Sequence, residues 1–232
     1  MQHFTKLEIL KMQQLTLDLF DQPSASLSSF IVGRNVELMH YLTDRVESPM
    51  FIWGESGCGK THLLTAWLAA TDNLNTLYIG GNKNALFSIP ENLPKRVAVD
   101  DVHLCDEKQE VALFAAFNCW RDAGVEMLFS ANVPPQRLPL KEDVRTRLAW
   151  GMVYEIQPLT DEEKICLLSK WARKRQLYID ESVFYYLLRY VSRNMLILID
   201  KLQKLDDYSL SCGRKITLPL LQQFLRENKW IV

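Results

Sequence analysis

No stretch of this 232-residue chain stays apolar over the eighteen or so residues that a membrane-spanning helix needs, and its start lacks the basic-then-apolar order of a secretory signal. No membrane association is expected, and the cytoplasm is the expected compartment. The five cysteines (Cys58, Cys105, Cys119, Cys166 and Cys212) are odd in number, widely spread and contain no Cys-x-x-Cys pair, which argues against both a disulfide framework and a zinc site. The four histidines (His3, His40, His62 and His103) show no paired ligand spacing, so no transition metal is expected. An excess of positive charge is lacking too: 27 Lys and Arg stand against 28 Asp and Glu. A protein that held DNA by its phosphates would need that excess. Any work on chromosomes is therefore expected to run through other proteins. What the chain does have is 48% hydrophobic residues, enough for one α/β core and a small helical domain.

Residues 1–29 read as a flexible tail, in which an alternating apolar patch from Gln14 to Phe20 precedes the turn-rich run from Asp21 to Ser26. From residue 30 to 157, strand and helix patterns alternate. Met50 to Trp53 is a short continuous apolar run, as expected of a parallel strand buried on both faces. Helical spacing follows over residues 61–70, strands over 76–79 and 97–100, a helix between 107 and 123, and a strand over 125–130. Such alternation implies right-handed βαβ units and a parallel sheet. Near Pro158 the character changes, and residues 158–232 read as a helical domain. Thr160 and Glu163 form a capping box for a helix reaching about Gln176. Asp180 caps a second helix to about Val191, a third covers about 195–210, and a fourth runs from Leu218 to Glu227 after Thr217.

The segment Gly54-Glu55-Ser56-Gly57-Cys58-Gly59-Lys60-Thr61 satisfies the phosphate-loop pattern G-x-x-x-x-G-K-[ST] at every position, with a strand before it and a helix after it. From average residue frequencies, a chance match in a chain this long is about one in a hundred. Glycines let backbone amides face phosphates, the helix N-terminus through His62 adds partial positive charge, Lys60 reaches the β- and γ-phosphates, and Thr61 ligates Mg²⁺. The expected cofactors are ADP or ATP with Mg²⁺. Such a loop needs an acid at the end of a neighbouring strand, and the strand at 97–99 ends in two: Asp100 is assigned to the magnesium and Asp101 to a base or water-orienting role. Arg145 and Arg147 are, on charge alone, two solvated surface arginines.

The order of these elements, with Ser130-Ala131-Asn132 and then Arg145-Thr146-Arg147-Leu148-Ala149-Trp150-Gly151 ahead of a helical lid, resembles the DnaA branch of AAA+ proteins over roughly residues 28–227. The resemblance implies an α/β P-loop NTPase fold, a parallel αβα sheet domain followed by a small all-helical lid. In AAA+ proteins the strand ending at 129–132 lies beside the P-loop strand, and Asn132 then takes the sensor 1 place, against the alternative that it only begins the turn into Pro134. Arg147 takes the place of the arginine that acts on a nucleotide held by a neighbouring subunit, with Arg145 as a substitute or helper. The lid departs from the pattern. Leu196 stands where the family carries a sensor 2 arginine, and Arg193, one helical turn earlier, is the replacement candidate. That substitution puts robust hydrolysis by this chain in doubt.

Two further features bear on function. No DNA-binding helix-turn-helix domain follows the lid before Val232, so no direct sequence-specific DNA binding is expected. In the tail, Gln14, Leu15, Leu17 and Leu19 resemble the peptide with which replication proteins of this kind dock on the sliding clamp, the DNA polymerase III beta subunit; a segment packed on its own domain is the alternative. The leading expectation is a clamp-bound regulator that stimulates hydrolysis of ATP held by the DnaA initiator, with weak or no hydrolysis of its own. A helicase-loader-like NTPase acting as its own oligomer is a second reading, and a P-loop kinase a weaker third. Whether the chain forms a homo-oligomer is left open.

Overall fold

A strand of four or five apolar residues flanked by turns can hide both of its faces only in the middle of a sheet covered on both sides. That is the arrangement found in a computed structural model that describes residues 26–44, 48–70, 75–80, 92–228 and 230. Residues 14–19, which carry the clamp-like peptide, lie outside the described residues. Five strands, β1 (Met50–Trp53), β2 (Thr76–Ile79), β3 (Arg96–Val99), β4 (Glu126–Ala131) and β5 (Met152–Glu155), form one parallel sheet in the order β2-β3-β4-β1-β5. β1 lies directly beside β4, with Met50 opposite Leu128 and Trp53 opposite Ala131.

The two-residue period of a strand sorts the side chains into two cores. Phe51, Val97, Val99, Met127 and Phe129 point to one face and pack with Leu113, Phe117 and Trp120 of α3 (Glu107–Asp122). Met50, Ile52, Ala98 and Leu128 point to the other, against Leu38 and Leu42 of α1 (Val36–Asp44) and Leu63, Leu64 and Trp67 of α2 (Lys60–Ala69). The result is a three-layer αβα sandwich. A seven-residue helix, α4 (Glu142–Leu148), leads into β5. Neither α4 nor β5 stands out in the sequence: α4 is short and highly charged, and β5 alternates half-buried with exposed residues at the sheet edge.

The remaining helices are α5 (Asp161–Lys174), α6 (Glu181–Tyr190), α7 (Met195–Cys212) and α8 (Leu218–Glu227). Each begins at a side chain that takes up an orphan amide: Thr160 accepts from Glu163 N, Asp180 from Ser182 N, Asn194 from Leu196 N and Ile197 N, and Thr217 from Leu220 N. The capping box at Thr160 is complete, because the Glu163 carboxylate also accepts from Thr160 N at 2.8 Å. Their apolar stripes meet in a separate core that includes Leu168, Phe184, Leu187, Leu198, Leu202, Leu205 and Leu221. Each such side chain contributes roughly 1.5–3 kcal/mol on burial.

Among the described residues, several contacts hold the start of this bundle and the segment leading into it against the sheet layers. The Asn35 amide donates to Gln157 O at 3.1 Å and accepts from Gln157 N at 2.7 Å. The Glu163 carboxylate lies against Gly33, where an added Cβ would meet it at 2.9 Å.

Candidate functional site

β1 ends where Gly54 N donates to Ala131 O at 3.2 Å, and the chain then turns through Gly57 and Gly59, whose φ angles of 81° and 105° lie in the left-handed region that favours glycine. α2 starts immediately afterwards. It has no side-chain cap and no acidic residue in its first turn, so its leading amides and its positive dipole end are left for an anion. Lys60 is 7% exposed and donates to Gly54 O at 2.9 Å and Glu55 O at 3.1 Å. Its cation is thus held inside the loop on two carbonyls, with a third N–H still available. His62 stacks on Phe30 with ring centroids 6.2 Å apart, and its Nε2 lies 3.0 Å from Ser29 Oγ. Phe30 in turn covers Gly59, where a Cβ would meet the ring at 2.9 Å.

Asp100 follows β3 and is 3% exposed, yet its carboxylate collects four donors. Thr61 Oγ1 and Tyr78 OH donate to Oδ2 at 2.5 and 3.0 Å, while the Ser130 hydroxyl and, at 3.1 Å, Asp101 N donate to Oδ1. Burial, then the Asp100 charge, raises the Tyr78 hydroxyl above its ordinary pKa, which keeps it a donor. Tyr78 and Ser130 were not among the expected site residues. Each sits on a strand flanking the acid, and only the sheet order brings them together.

Asp101 adopts φ 49°, unusual outside glycine but tolerated by aspartate, and its amide also donates to Ser130 Oγ at 3.0 Å. Burial, then the Asp100 carboxylate, holds Asp101 above the usual carboxylate range. Its side chain lies 3.9 Å from His103 Nδ1, and burial pushes that imidazole below its usual value. Asn132 is exposed just past β4. The β4 side chain that reaches Asp100 is Ser130.

The oxygen set of Thr61 and Asp100 suits a hard divalent cation such as Mg²⁺. No cluster of three or more His, Cys, Asp or Glu side chains fit to hold a metal gathers among the described residues. An ion here would draw its remaining ligands from nucleotide phosphates and water.

Among the described residues, the lid's hydrogen bond to the loop comes from Asn194. Asn194 Nδ2 donates to Ser56 O at 3.1 Å, and a Cβ on Gly57 would meet the same amide group at 2.4–2.7 Å. Arg193 is instead paired with Asp161 at 3.2 Å, both exposed. Leu196 projects into solvent, 68% exposed.

Arg147 lies on α4, remote in its contacts from the loop. Its guanidinium stacks over the Phe114 ring, 4.0 Å from the centroid, donates from Nε to Asn118 Oδ1 at 3.2 Å and from Nη1 to Asp143 O at 2.8 Å, and sits 5.7 Å from the Trp150 centroid. Trp150 is 55% exposed and carries Arg121 over its ring as well, at 5.3 Å. Gly151 fixes this corner, since the Pro49 carbonyl oxygen would lie 1.6 Å from any Cβ there. Arg145 donates to Gln136 O at 3.1 Å.

Residues 161–225 match the family model described as "Hda, lid domain". An uncharacterised protein of Haemophilus influenzae is 32% identical over 227 residues, covering 92% of this chain and 98% of that protein. Among solved structures, domain III of the Thermotoga maritima replication initiation protein DnaA superposes with a TM-score of 0.76 at 21% identity, over 90% of this chain and 98% of the other. AMPPCP-bound DnaA from Aquifex aeolicus does so with a TM-score of 0.65 at 21% identity, over 81% and 66%. These likenesses establish the AAA+ sheet domain with its helical lid as the fold.

Proposed function

The chain belongs to the Hda family of DnaA-related AAA+ proteins, and on that footing we propose that it is a nucleotide-bound regulator of replication initiation that stimulates hydrolysis of ATP held by the DnaA initiator. The observation that carries this reading is the setting of Arg147. Among the described residues its hydrogen-bond and ring partners are Phe114, Asn118, Asp143 and Trp150, none of them from residues 54–61. An arginine held in one orientation at the surface, away from its own phosphate loop, is suited to a nucleotide on another subunit. There its planar fork spreads positive charge over phosphate oxygens as phosphoryl transfer proceeds. Preorientation matters because a donor already in place costs no reorganisation when charge develops.

The chain's own nucleotide, ADP or ATP with Mg²⁺, is held by the 54–61 loop, Lys60, Thr61 and Asp100, and serves as a conformational ligand. The AMPPCP in the Aquifex aeolicus DnaA structure supports nucleotide binding by this fold. Leu196 offers no charge to a phosphate and Arg193 is paired with Asp161, which supports weak hydrolysis by the chain itself. Asp101 and Asn132 keep their proposed base and sensor 1 roles toward that bound nucleotide. The Gln14, Leu15, Leu17 and Leu19 peptide docks on the sliding clamp and brings the protein to replicated DNA; its support is the sequence pattern.

The test is the hydrolysis of DnaA-bound ATP with this protein, with and without DNA-loaded clamp. Stimulation that needs both is expected. Hydrolysis by this chain alone, with no effect on DnaA-bound ATP, would favour the self-contained loader-like NTPase instead.

A further inference from the structure

The lid side chain that hydrogen-bonds the loop among the described residues is a neutral amide, where a cation directed at phosphate was expected. Asn194 does two things at once: Oδ1 caps α7 by accepting from Leu196 N at 2.9 Å and Ile197 N at 3.4 Å, and Nδ2 donates to Ser56 O, 138 residues away, at 3.1 Å. The same amide lies over Gly57, close enough that any side chain there would collide with it. Its neighbours do not reach the loop in this way: Arg193 is held by Asp161, and Leu196 and Ile197 face solvent.

We propose that Asn194 is the positioning residue through which the lid follows the phosphate loop, by contact with the loop backbone at Ser56 and Gly57 in place of contact with the phosphates. The proposal rests on the loop binding nucleotide. When a phosphate engages the loop amides, the peptide between Ser56 and Gly57 is fixed, and with it the acceptor for Asn194 and the start of α7. Two consequences follow from where the contact lies. Because it touches neither a γ-phosphate nor any charge, it responds alike to a diphosphate and a triphosphate. Because coupling between sites is reciprocal, a lid that cannot make the contact weakens both nucleotides by the same factor.

The test uses the full chain with ADP or ATP and Mg²⁺, reading affinity by calorimetry and α7 by amide hydrogen exchange. Asn194→Asp keeps the capping oxygen but replaces the donor with a second acceptor facing the Ser56 carbonyl; Asn194→Ser also keeps a cap and is too short to reach. In the wild-type chain, nucleotide should slow exchange in the first turns of α7 by about two- to tenfold, the scale of one neutral hydrogen bond. In both variants that slowing should vanish, ADP and ATP affinities should fall by similar factors, and Arg193→Ala should behave as wild type. Wild-type slowing in Asn194→Asp and Asn194→Ser, or no slowing in the wild-type chain despite binding, overturns the proposal and leaves the nucleotide site intact. Absence of any calorimetric binding to the wild-type chain overturns the nucleotide site itself, and this proposal with it.

Discussion

Thr61 Oγ1 donates a 2.5 Å hydrogen bond to Asp100 Oδ2, joining the first turn after the phosphate loop to the end of a strand 39 residues later. Thr61 and Asp100 are the residues that would hold a nucleotide-bound magnesium, and Lys60 supplies the loop's cation. Removing that cation in Lys60→Ala should weaken nucleotide binding by about tenfold to a hundredfold, the scale of a lost charge-assisted hydrogen bond. Chelation of Mg²⁺ should weaken binding to the wild-type chain as well. Calorimetry showing equal affinities would contradict both expectations.

The contact between Gly151 and the Pro49 carbonyl sets the entry to β5 and the end of the α4 segment that carries Arg147. Gly151→Ala forces a backbone shift at a sheet edge and should cost about 1–3 kcal/mol of stability. Thermal denaturation should show the loss as a Tm lowered by several degrees. An unchanged Tm would mean that this corner yields freely.

The thiols differ enough to be told apart. Burial, then Asp106 and Glu110, pushes Cys105 up to about 11, and burial raises Cys58 too, whereas Cys166 and Cys212 are exposed. Because the thiolate is the reactive form, iodoacetamide at about pH 8 should label Cys166 and Cys212 before Cys105, with Cys105 gaining reactivity only as pH climbs toward its raised value. Nucleotide should further slow labelling of Cys58, which lies inside the loop. Mass-spectrometric peptide mapping reads the order directly, and early labelling of Cys105 would refute it.

The proposed docking of residues 14–19 on the sliding clamp can be tested separately. Gln14→Ala with Leu15→Ala should abolish binding to the sliding clamp while leaving nucleotide affinity and Tm unchanged. Clamp binding at wild-type strength by that variant would remove the tail from the account.

Much of this architecture is legible in the sequence because its signals are local. The glycine-rich loop, the capping residues Thr160, Asp180 and Thr217, and the short continuous apolar run of β1 each depend on neighbours a few positions away. Features that depend on chain pairing are not legible in that way. Tyr78 and Ser130 reach Asp100 only because β2 and β4 flank β3. β5 draws its identity from pairing with β1 and from the room Gly151 leaves, with little help from its own residues. Asn194 caps α7 and also reaches Ser56, a contact that spans two domains. The arginine that the sequence offered as a sensor, Arg193, turns to Asp161, an ion pair that requires the lid to be folded.

Whether Arg147 acts on a nucleotide held by another protein is decided by a single-turnover comparison. DnaA loaded with radiolabelled ATP is mixed with DNA-loaded clamp and either the wild-type chain or Arg147→Ala, and the conversion of bound ATP to ADP is followed. Rapid conversion is expected with the wild-type chain, and a loss of about a thousandfold or more in the stimulated rate with the variant, whose Tm and nucleotide affinity stay at wild-type values. Equal stimulation by the folded, nucleotide-binding Arg147→Ala variant would contradict the role proposed for Arg147.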